Sequence, residues 1–259
     1  MINPHSQSIA VKSRHDIKLI LEAGKIVAGV HNLMIKTVKP GMSTLELDQL
    51  AEQFIRKHGA LPTFKGYHGF PGTLCTSINE EVVHGIPSAD RILKDGDVIS
   101  LDCGATYKGW IADTAITLPV GDIPDEILKL LSATDEGLHA GIQAMRAGNR
   151  IHDVSAAVED VGLKYGYGIV QNYGGHGVGK NLHEEPFIPN YRTDNPGPEI
   201  RPGNVMAIEP MFNLGTADVE TLDDKWTVVT KDRKPSAHFE HTIVVTDDGP
   251  VIATLRDNL

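Results

Sequence analysis

The hydrophobic pattern near the start of the chain predicts a pair of helices. In residues 14–38 apolar side chains recur at roughly helical spacing. Ser13 precedes this segment and Asp16 follows three residues later, a pattern typical of a capped helix start. A second capping pattern begins at Ser43, and the helix that it opens ends at Gly59. We therefore expect two helices joined by a tight turn.

A second helix pair repeats the first at an offset of 107 residues. Its helices are predicted over 124–145 and 151–166. The turn glycine of the first pair, Gly41, is 107 residues before Gly148, and the same offset separates Gly59 from Gly166. Two amphipathic pairs can resemble each other by chance, so the repeat needs support from strand-like sequence.

The same offset aligns two strand-like segments that end in an acid. Residues 93–102 fall on 200–209, and in each a glycine turn leads into an apolar strand. Asp102 falls on Glu209. Matching helix-helix-strand halves predict an α+β fold with pseudo-twofold symmetry, a central antiparallel sheet and a site between the halves. A chance alignment of common turn residues is the alternative.

The length of 259 residues suits one large domain or two small ones. The repeat favours a single domain over 14–259, with halves of about 14–120 and 121–259, after a short extension over 1–13. The start lacks the apolar core of a signal peptide, and no apolar stretch is long enough for a membrane span. We therefore expect a cytoplasmic protein that binds no membrane.

Composition excludes one class of partner. There are 24 Lys and Arg against 34 Asp and Glu, a net charge of −10 with histidine neutral. A protein that reads the phosphate backbone of DNA carries the opposite excess. Two cysteines, Cys75 and Cys103, cannot form a disulfide framework. The chemistry has to be sought among the acids and histidines.

Four acids lie in sequence that otherwise predicts buried strands. Buried like charges must protonate, pair with cations or bind metal, and no Lys or Arg lies in these strands. Four carboxylates match the charge of two divalent ions, and oxygen ligands suit Mn, Co, Fe(II) or Zn rather than copper. Singly, each acid could be a structural hydrogen-bonding group. The acids are Asp102 and Glu209 at predicted strand ends, and Asp113 and Glu240 within predicted strands.

Histidine supplies a further ligand type. His176 lies in the glycine-rich segment 174–179, which resembles a nucleotide-binding loop only weakly, because no acid with the usual role follows about twenty residues later. Glycines on both sides of an imidazole instead allow close backbone approach. His183 and His84 are further candidates, although any of the 12 histidines can be an ordinary surface or packing residue.

These residues resemble the bacterial type I methionine aminopeptidases from about residue 15 to residue 253. The acid and histidine order Asp, Asp, His, Glu, Glu is specific to the "pita-bread" metallopeptidases, and the segments 67–70 and 221–227 narrow the resemblance to the methionine enzymes. The resemblance implies the pita-bread fold, with two metal ions. The ligand set is Asp102, Asp113, His176, Glu209 and Glu240.

The resemblance also implies a role for each residue. Asp113 and Glu240 would bridge the two ions, Asp102 would complete one ion, and His176 with Glu209 would complete the other. Glu209 would shuttle a proton from water to the leaving amine. Two histidines would contact the reacting peptide bond, His183 at the carbonyl oxygen and His84 at the scissile nitrogen.

A methionine pocket is the second implied feature. The family builds it from positions that match Tyr67, Phe70, Cys75, His84 and Trp226. Ordinary core packing is the alternative for each of them, and most of all for Phe70 and Cys75. Phe64 and Leu182 stand where some relatives have Cys and Phe, which changes the shape of the pocket. Asn79 and Ser236 match positions that bind a monovalent cation in some relatives.

The function that the resemblance implies is removal of the initiator methionine from nascent proteins whose second residue is small, using water or hydroxide held between two metal ions. The alternatives are an X-Pro aminopeptidase and a non-catalytic binding module. The expected partners are nascent polypeptide N-termini, and the default state is a monomer. A ribosome contact near the exit tunnel would use the mildly basic segment 225–234, although such a loop is usually just solvated.

Overall fold

The computed structural model describes residues 9–256, so residues 1–8 of the predicted extension lie outside the described residues. Within that range the helices are α1 (Arg14–Thr37), α2 (Thr44–Lys57), α3 (Asp125–Ala144) and α4 (Ile151–Tyr165), and a 3₁₀ turn covers Tyr67–Gly69. The strands are β1 (Leu61–Pro62), β2 (Leu74–Ile78), β3 (Glu81–Val83), β4 (Val98–Tyr107), β5 (Trp110–Pro119), β6 (Gly168–Ile169), β7 (Gly175–Gly177), β8 (Glu184–Ile188), β9 (Val205–Ile208), β10 (Met211–Asn213), β11 (Val219–Thr221), β12 (Val228–Thr230), β13 (Ser236–His238), β14 (His241–Thr246) and β15 (Gly249–Ile252).

The helix starts follow from local hydrogen bonds. At α1 the Ser13 hydroxyl accepts the Asp16 N–H at 3.3 Å, and the Asp16 carboxylate accepts the Ser13 N–H at 3.0 Å. Ser43 and Glu46 make the same reciprocal pair at α2, at 3.2 and 2.7 Å. Each cap satisfies backbone donors that a helix start otherwise leaves unpaired, worth about 1 kcal/mol. Both predicted caps are confirmed.

The internal repeat is present in the backbone. Three pairs of glycines 107 residues apart share a left-handed conformation that side chains disfavour. The φ angles of each pair agree closely, at 90° and 92° for Gly41 and Gly148, 74° and 73° for Gly59 and Gly166, and 92° and 88° for Gly96 and Gly203. The helix-helix-strand order of the two halves is confirmed.

Every strand pairing in the described part of the chain is antiparallel, as predicted, but hydrogen bonding divides the strands into four sheets. One contains β1, β4, β2 and β5, and another runs β15-β14-β9-β7-β8. Two three-stranded sheets, β13-β10-β6 and β11-β12-β3, complete the set. The first two sheets meet where the Glu240 N–H donates to the Ala115 carbonyl at 3.0 Å.

The helices cover the sheets from outside. α1 packs across β4 and β5, whereas α3 packs on α4 and against β9, β10 and β13. Phe212 on β10 is fully buried beneath the second helix pair. A Cβ at Gly137 or Gly162 would come within 2.9 or 3.2 Å of its ring, so these glycines let the helices approach the sheet. No helix in residues 9–256 is long and apolar enough to cross a bilayer.

Two predicted strand boundaries are wrong. Asp102 lies in the middle of β4, not at its end, because β4 pairs with β5 along its whole length, from Val98 opposite Pro119 to Tyr107 opposite Trp110. Glu240 lies between β13 and β14 and not within a strand. The strand before Glu240, β13, pairs with β10, and the strand after it, β14, pairs with β9. The Glu240 N–H lies between these pairings and can donate to β5 instead.

Candidate active site

The hairpin of β4 and β5 places two acids on one face. Asp102 lies opposite Ala115, and Asp113 lies opposite Gly104. Opposed residues share a face of the sheet, and so do residues two apart along a strand. Asp102 and Asp113 are therefore diagonal neighbours on the same face. Gly104 carries no side chain, and the Phe64 ring packs there: a Cβ at this position would lie 2.8 Å from Phe64 Cε1.

The second half supplies three more ligand-type side chains from one face of β7, β9 and β14. His176 and Thr242 both lie opposite Ala207 on β9, from either side. Glu209 follows Ala207 by two residues, and Glu240 precedes Thr242 by two. The period of two along a strand directs all of these side chains the same way.

Thr242 joins the two faces. Its hydroxyl accepts the Asp113 N–H at 3.1 Å and lies 2.9 Å from Asp113 Oδ1. The other carboxylate oxygen, Oδ2, lies 3.5 Å from His176 Nε2, and Glu209 Oε1 lies 3.6 Å from the same nitrogen. Ligand atoms of Asp113, His176 and Glu240 all lie within 4.8 Å of one another.

His176 is oriented for ligation. Its Nδ1 lies 3.0 Å from the Gly177 carbonyl oxygen, which can only accept a hydrogen bond, so Nδ1 carries the proton. The Nε2 lone pair then faces the carboxylates. Histidines that bind metals through one nitrogen are commonly held through the other in this way.

Burial makes the acid cluster unfavourable without a cation. Burial, followed by the neighbouring charges of Asp113 and Glu209, raises the pKa of Asp102 well above its ordinary value. Burial and then Asp113 do the same to the pKa of Glu240, and burial raises the pKa of Asp113. The pKa of Glu209 is raised to about 8, chiefly by burial. At neutral pH the cluster must hold protons or a positive ion.

The residues present fit a divalent metal. Asp102 Oδ1 is buried and has no hydrogen-bond partner, as expected of a ligand atom. Among the described residues Arg256 forms no ion pair with these acids: its guanidinium lies 3.2 Å from His241 Nε2 and 3.5 Å from the Ala115 carbonyl. Its charge lowers the pKa of Glu240, but burial outweighs it. Carboxylates with one imidazole are a donor set for Mn, Fe, Co or Zn.

The acids form the floor of a cavity of about 260 Å³. Its walls combine aromatic rings, small apolar side chains and histidines. Phe70 and Trp226 contact each other edge to face, with centroids 5.1 Å apart. Eleven sequence-predicted residues line this one cavity: Tyr67, Phe70, Cys75, His84, Asp102, Asp113, His176, His183, Glu209, Trp226 and Glu240.

Two neutral histidines flank the acids. His183 lies against His176, with ring centroids 4.4 Å apart, and its Nδ1 lies 2.9 Å from the Tyr67 hydroxyl. His84 has a left-handed backbone, φ 63°, and its ring packs edge-on against Trp226. Burial lowers the pKa of both histidines to about 4. Both are therefore neutral at pH 7 and can each donate one hydrogen bond.

Sequence reasoning missed His238. Its Nε2 is buried without a hydrogen bond, 3.5 Å from Glu209 Oε2, and burial lowers its pKa to about 3. Its position two residues before Glu240 was the available signal, since alternate residues of extended chain face the same side. Three further lining residues were not named for the site from sequence: His68, Val83 and Tyr173. Phe64 and Leu182, named from sequence as positions that change the shape of the pocket, line the cavity too.

Asn79 and Ser236 lie beside each other outside the lining of this cavity. The Ser236 N–H donates to the Asn79 carbonyl at 2.9 Å. The Asn79 amide oxygen accepts the Val98 N–H at 3.0 Å, and its amide nitrogen donates to Asp97 at 2.9 Å. The Asn79 side chain is thus already engaged, and the Ser236 hydroxyl donates to the Phe212 carbonyl at 3.4 Å.

Comparison with known proteins places this site in a family. Residues 18–247 match the model of Metallopeptidase family M24. Methionine aminopeptidase 1 of Bacillus subtilis (strain 168) is 51% identical over 246 residues, covering 95% of this chain and 99% of that protein.

Solved structures agree with this placement. Methionine aminopeptidase from Thermotoga maritima is 38% identical, with a TM-score of 0.94, and the match covers 96% of this chain and 100% of that one. The Xaa-Pro dipeptidase from Bacillus anthracis has a TM-score of 0.75 at 24% identity, covering 96% of this chain and 63% of that one. This last likeness shows the shared pita-bread fold alone. The chain is a divalent-metal hydrolase that belongs to Metallopeptidase family M24.

Proposed function

We propose that this chain removes the N-terminal methionine from polypeptides, as a methionine aminopeptidase. One observation carries the proposal: the acid cluster and a largely apolar pocket share one cavity of about 260 Å³. The named relatives over nearly the whole chain support it. An enzyme that cleaves after the first residue needs such an arrangement, with a pocket that ends near the reacting groups.

We propose that two divalent ions occupy the acid cluster, drawn from Mn, Co, Fe or Zn. Asp102, Asp113, His176, Glu209 and Glu240 would hold them. When bound, such ions would lower the pKa of water and polarise the scissile carbonyl. The buried Asp102 oxygen without a hydrogen bond supports this assignment.

Glu209 is the proposed proton carrier. Its carboxylate is largely buried, with its two oxygens 3.6 Å from His176 Nε2 and 3.5 Å from His238 Nε2. It follows β9 directly and faces the cavity. A carboxylate in this position takes the proton of the attacking water and returns it to the leaving amine.

His183 and His84 contact the peptide bond in this proposal. His183, held at Nδ1 by Tyr67, has Nε2 free to donate to the carbonyl oxygen as negative charge develops. His84 lies beside Trp226 in the lining of the same cavity, where it can contact the scissile nitrogen. Because both rings are neutral, they stabilise charge without repelling the metal ions.

The methionine side chain would fill the pocket made by Tyr67, Phe70, Cys75, His84 and Trp226. Phe70 and Cys75 are buried, so the pocket is dry and apolar at that end. A flexible thioether packs well against aromatic edges. Phe64 and Leu182 line the same cavity and narrow it further. A small second residue would keep the rest of the peptide clear of the walls.

Residues 14–259 act as one catalytic domain in this proposal, with halves of about 14–120 and 121–259. The substrate is the N-terminus of a nascent chain in the cytoplasm, and the enzyme works as a monomer. The backbone carbonyls around Asn79 and Ser236 would take a monovalent cation. Within 225–234, Lys231 pairs with Asp218 and Arg233 pairs with Glu220. These pairs favour a solvated loop over a ribosome contact.

The test is release of the first residue from Met-Ala-Ser, Leu-Ala-Ser and Ala-Pro-Ala by metal-stripped protein, before and after addition of Mn(II), Co(II) or Fe(II). We expect metal-dependent cleavage of Met-Ala-Ser alone, abolished by Asp113→Ala. Cleavage of Ala-Pro-Ala instead would indicate a proline-specific enzyme. No cleavage with any metal would indicate a binding module.

A further inference from the structure

The segment over residues 9–13 reaches the loop that carries His183. Its backbone lies along the turn before β9, where the Lys12 N–H donates to the Gly203 carbonyl at 2.8 Å. The Asn204 side-chain amide donates to two carbonyl oxygens of the segment, at 3.3 and 3.4 Å. The backbone of the segment is therefore held without help from the Lys12 side chain.

The Lys12 side chain forms a largely buried ion pair with Glu184. The side chains are 7% and 17% exposed. The second carboxylate oxygen of Glu184 accepts the backbone N–H groups of Lys180 and Asn181, at 3.0 and 3.2 Å. The carboxylate thus closes the loop over 179–184, and the Lys12 ammonium neutralises its charge.

Gly179 makes room for this ion pair. A Cβ at this position would lie 2.4 Å from Glu184 Oε1 and 2.6 Å from Lys12 Nζ. Gly179 is not among the glycines with positive φ, so it is the space and not the backbone angle that requires glycine. This accounts for the last glycine of the 174–179 segment by the fit of two charged side chains.

We propose that Lys12 is a positioning residue for His183 and acts through Glu184. The proposal rests on the role of His183 in the proposed function. His183 directly precedes Glu184, and its Nδ1 is held by the Tyr67 hydroxyl at 2.9 Å. Without Lys12 the carboxylate is buried with no opposite charge, so the loop must open to hydrate it. His183 then moves away from Tyr67 and from the carbonyl oxygen of the substrate.

The first test compares Lys12→Met with Lys25→Met, which removes a lysine from an exposed pair with Glu22. We expect Lys12→Met to lower kcat for Met-Ala-Ser about 10-fold, because small misplacements of a group at the reacting bond are costly. KM and the Mn(II) dissociation constant should change little. Lys25→Met should match the parent, since exposed ion pairs contribute little.

A double-mutant cycle separates positioning from a general effect on structure. His183→Ala alone should lower kcat by about 10²-fold or more, as expected for loss of an oxyanion donor. In that background Lys12→Met should cost nothing further, because the group that it positions is gone. If Lys12→Met instead lowers kcat about 10-fold again, Lys12 does not act through His183, and the proposal is overturned.

A charge-neutral pair gives a further check. In Lys12→Met with Glu184→Gln, the amide oxygen still accepts the two loop N–H groups but carries no charge. We expect this double variant to recover most of the kcat lost in Lys12→Met. A double variant as impaired as Lys12→Met would mean that an unpaired carboxylate is not the cause.

The imidazole ¹⁵N resonances of His183 test the geometry without any substrate. They are assigned by their absence in His183→Ala. We expect them to shift in Lys12→Met as the Tyr67 hydrogen bond is lost, and to stay in place in Lys25→Met. Unmoved resonances would overturn the positioning role even in an active enzyme. Parent protein that cleaves no Met-Ala-Ser would overturn the proposed function alone. If Lys12→Met does not fold, Gly179→Ala, whose Cβ would displace Lys12 Nζ or the Glu184 carboxylate, replaces it in the NMR measurement.

Discussion

Removal of the metal should make the stability of this chain fall as pH rises. Burial raises the pKa of Glu209 from the ordinary 4.5 to about 8 in the folded protein, whereas the unfolded chain keeps the ordinary value. Between these values the folded state holds a proton that the unfolded state lacks. The resulting stability is complete below about pH 4.5 and is lost as the pH rises through about 8.

Buried histidines act in the opposite direction, chiefly at lower pH. Burial lowers the pKa of His84 and His183 to about 4 and that of His238 to about 3. In the unfolded chain these groups are half protonated at pH 6.5 and become neutral over about the next pH unit, so they offset part of the loss from the acids at the lower end of the range from pH 6.5 to 8. Their contribution is the same in Glu209→Gln, so the difference in slope between parent and variant reports on Glu209.

The expected change follows from the linkage slope. One proton held only by the folded state changes the free energy of unfolding by about 1.4 kcal/mol per pH unit. For Glu209 this gives a loss of about 2 kcal/mol between pH 6.5 and pH 8. The raised pKa values of Asp102 and Glu240 act in the same direction. A loss of about 2 kcal/mol is a large fraction of a typical domain's stability.

Urea unfolding of metal-stripped protein, followed by circular dichroism at four pH values from 6.5 to 8, measures this slope. Glu209→Gln should flatten the slope and should be more stable than the parent at pH 8. The control is Glu136→Gln, which removes an exposed acid whose pKa is lowered by hydrogen bonds from Lys164 and Tyr165. It should keep the parent slope, and saturating Mn(II) should stabilise the parent most at pH 8.

Two results would refute this reasoning. The first is a metal-free parent whose free energy of unfolding is constant or increases between pH 6.5 and 8. The second is a Glu209→Gln variant with the same slope as the parent. Either result would mean that the acids are not held in the buried, mutually close arrangement described above.

Three further predictions concern single side chains. Asp113→Asn keeps an oxygen for the Thr242 hydroxyl but loses the negative charge. Calorimetry should therefore show that Mn(II) affinity falls about 10-fold or more, while the melting temperature of the metal-free protein is not reduced. Unchanged affinity would remove Asp113 from the ligand set. Trp226→Ala opens the pocket, so kcat/KM for Met-Ala-Ser should fall about 10- to 100-fold at unchanged Mn(II) affinity; an equal loss for other N-terminal residues would contradict a role in selecting methionine. In α1, Gly24→Ala places a Cβ 2.1 Å from the Ala253 carbonyl oxygen. Urea unfolding should therefore show that the free energy of unfolding falls by about 1–3 kcal/mol. Helix propensity alone predicts that it rises by about 1 kcal/mol.

Local features of the fold could be predicted from sequence because local interactions determine them. The helix starts depend on serine and acid pairs three residues apart, and the structure contains those hydrogen bonds at Ser13 and Ser43. The acid cluster was predictable because strand periodicity shows which side chains must be buried. The extent of β4 was not, since residues beyond Asp102 are extended because β5 pairs with them on one side and β1 and β2 on the other.

The support around the site could not be predicted in the same way. Lys12 and Glu184 are 172 residues apart, and an ion pair at that distance leaves no local pattern. His238 was hidden for a different reason: among 12 histidines its neighbour Phe239 made the segment look like ordinary core strand. Both residues matter only because the tertiary structure brings them beside Glu184 and Glu209.

The division of the proposed ligands between the halves would couple metal binding to the packing of the whole fold. The first half contributes Asp102 and Asp113, and the second contributes His176, Glu209 and Glu240. Without an ion the acids of the two halves repel each other or must hold protons, which opposes the contact that the Thr242 hydroxyl and the Glu240 N–H hold together. A bound cation attracts the acids of both halves and replaces their mutual repulsion. Its binding free energy therefore adds to the stability of the contact between the halves. Protection of the Glu240 amide from hydrogen exchange should therefore increase on metal binding more than protection of amides inside α1, which lie within one half.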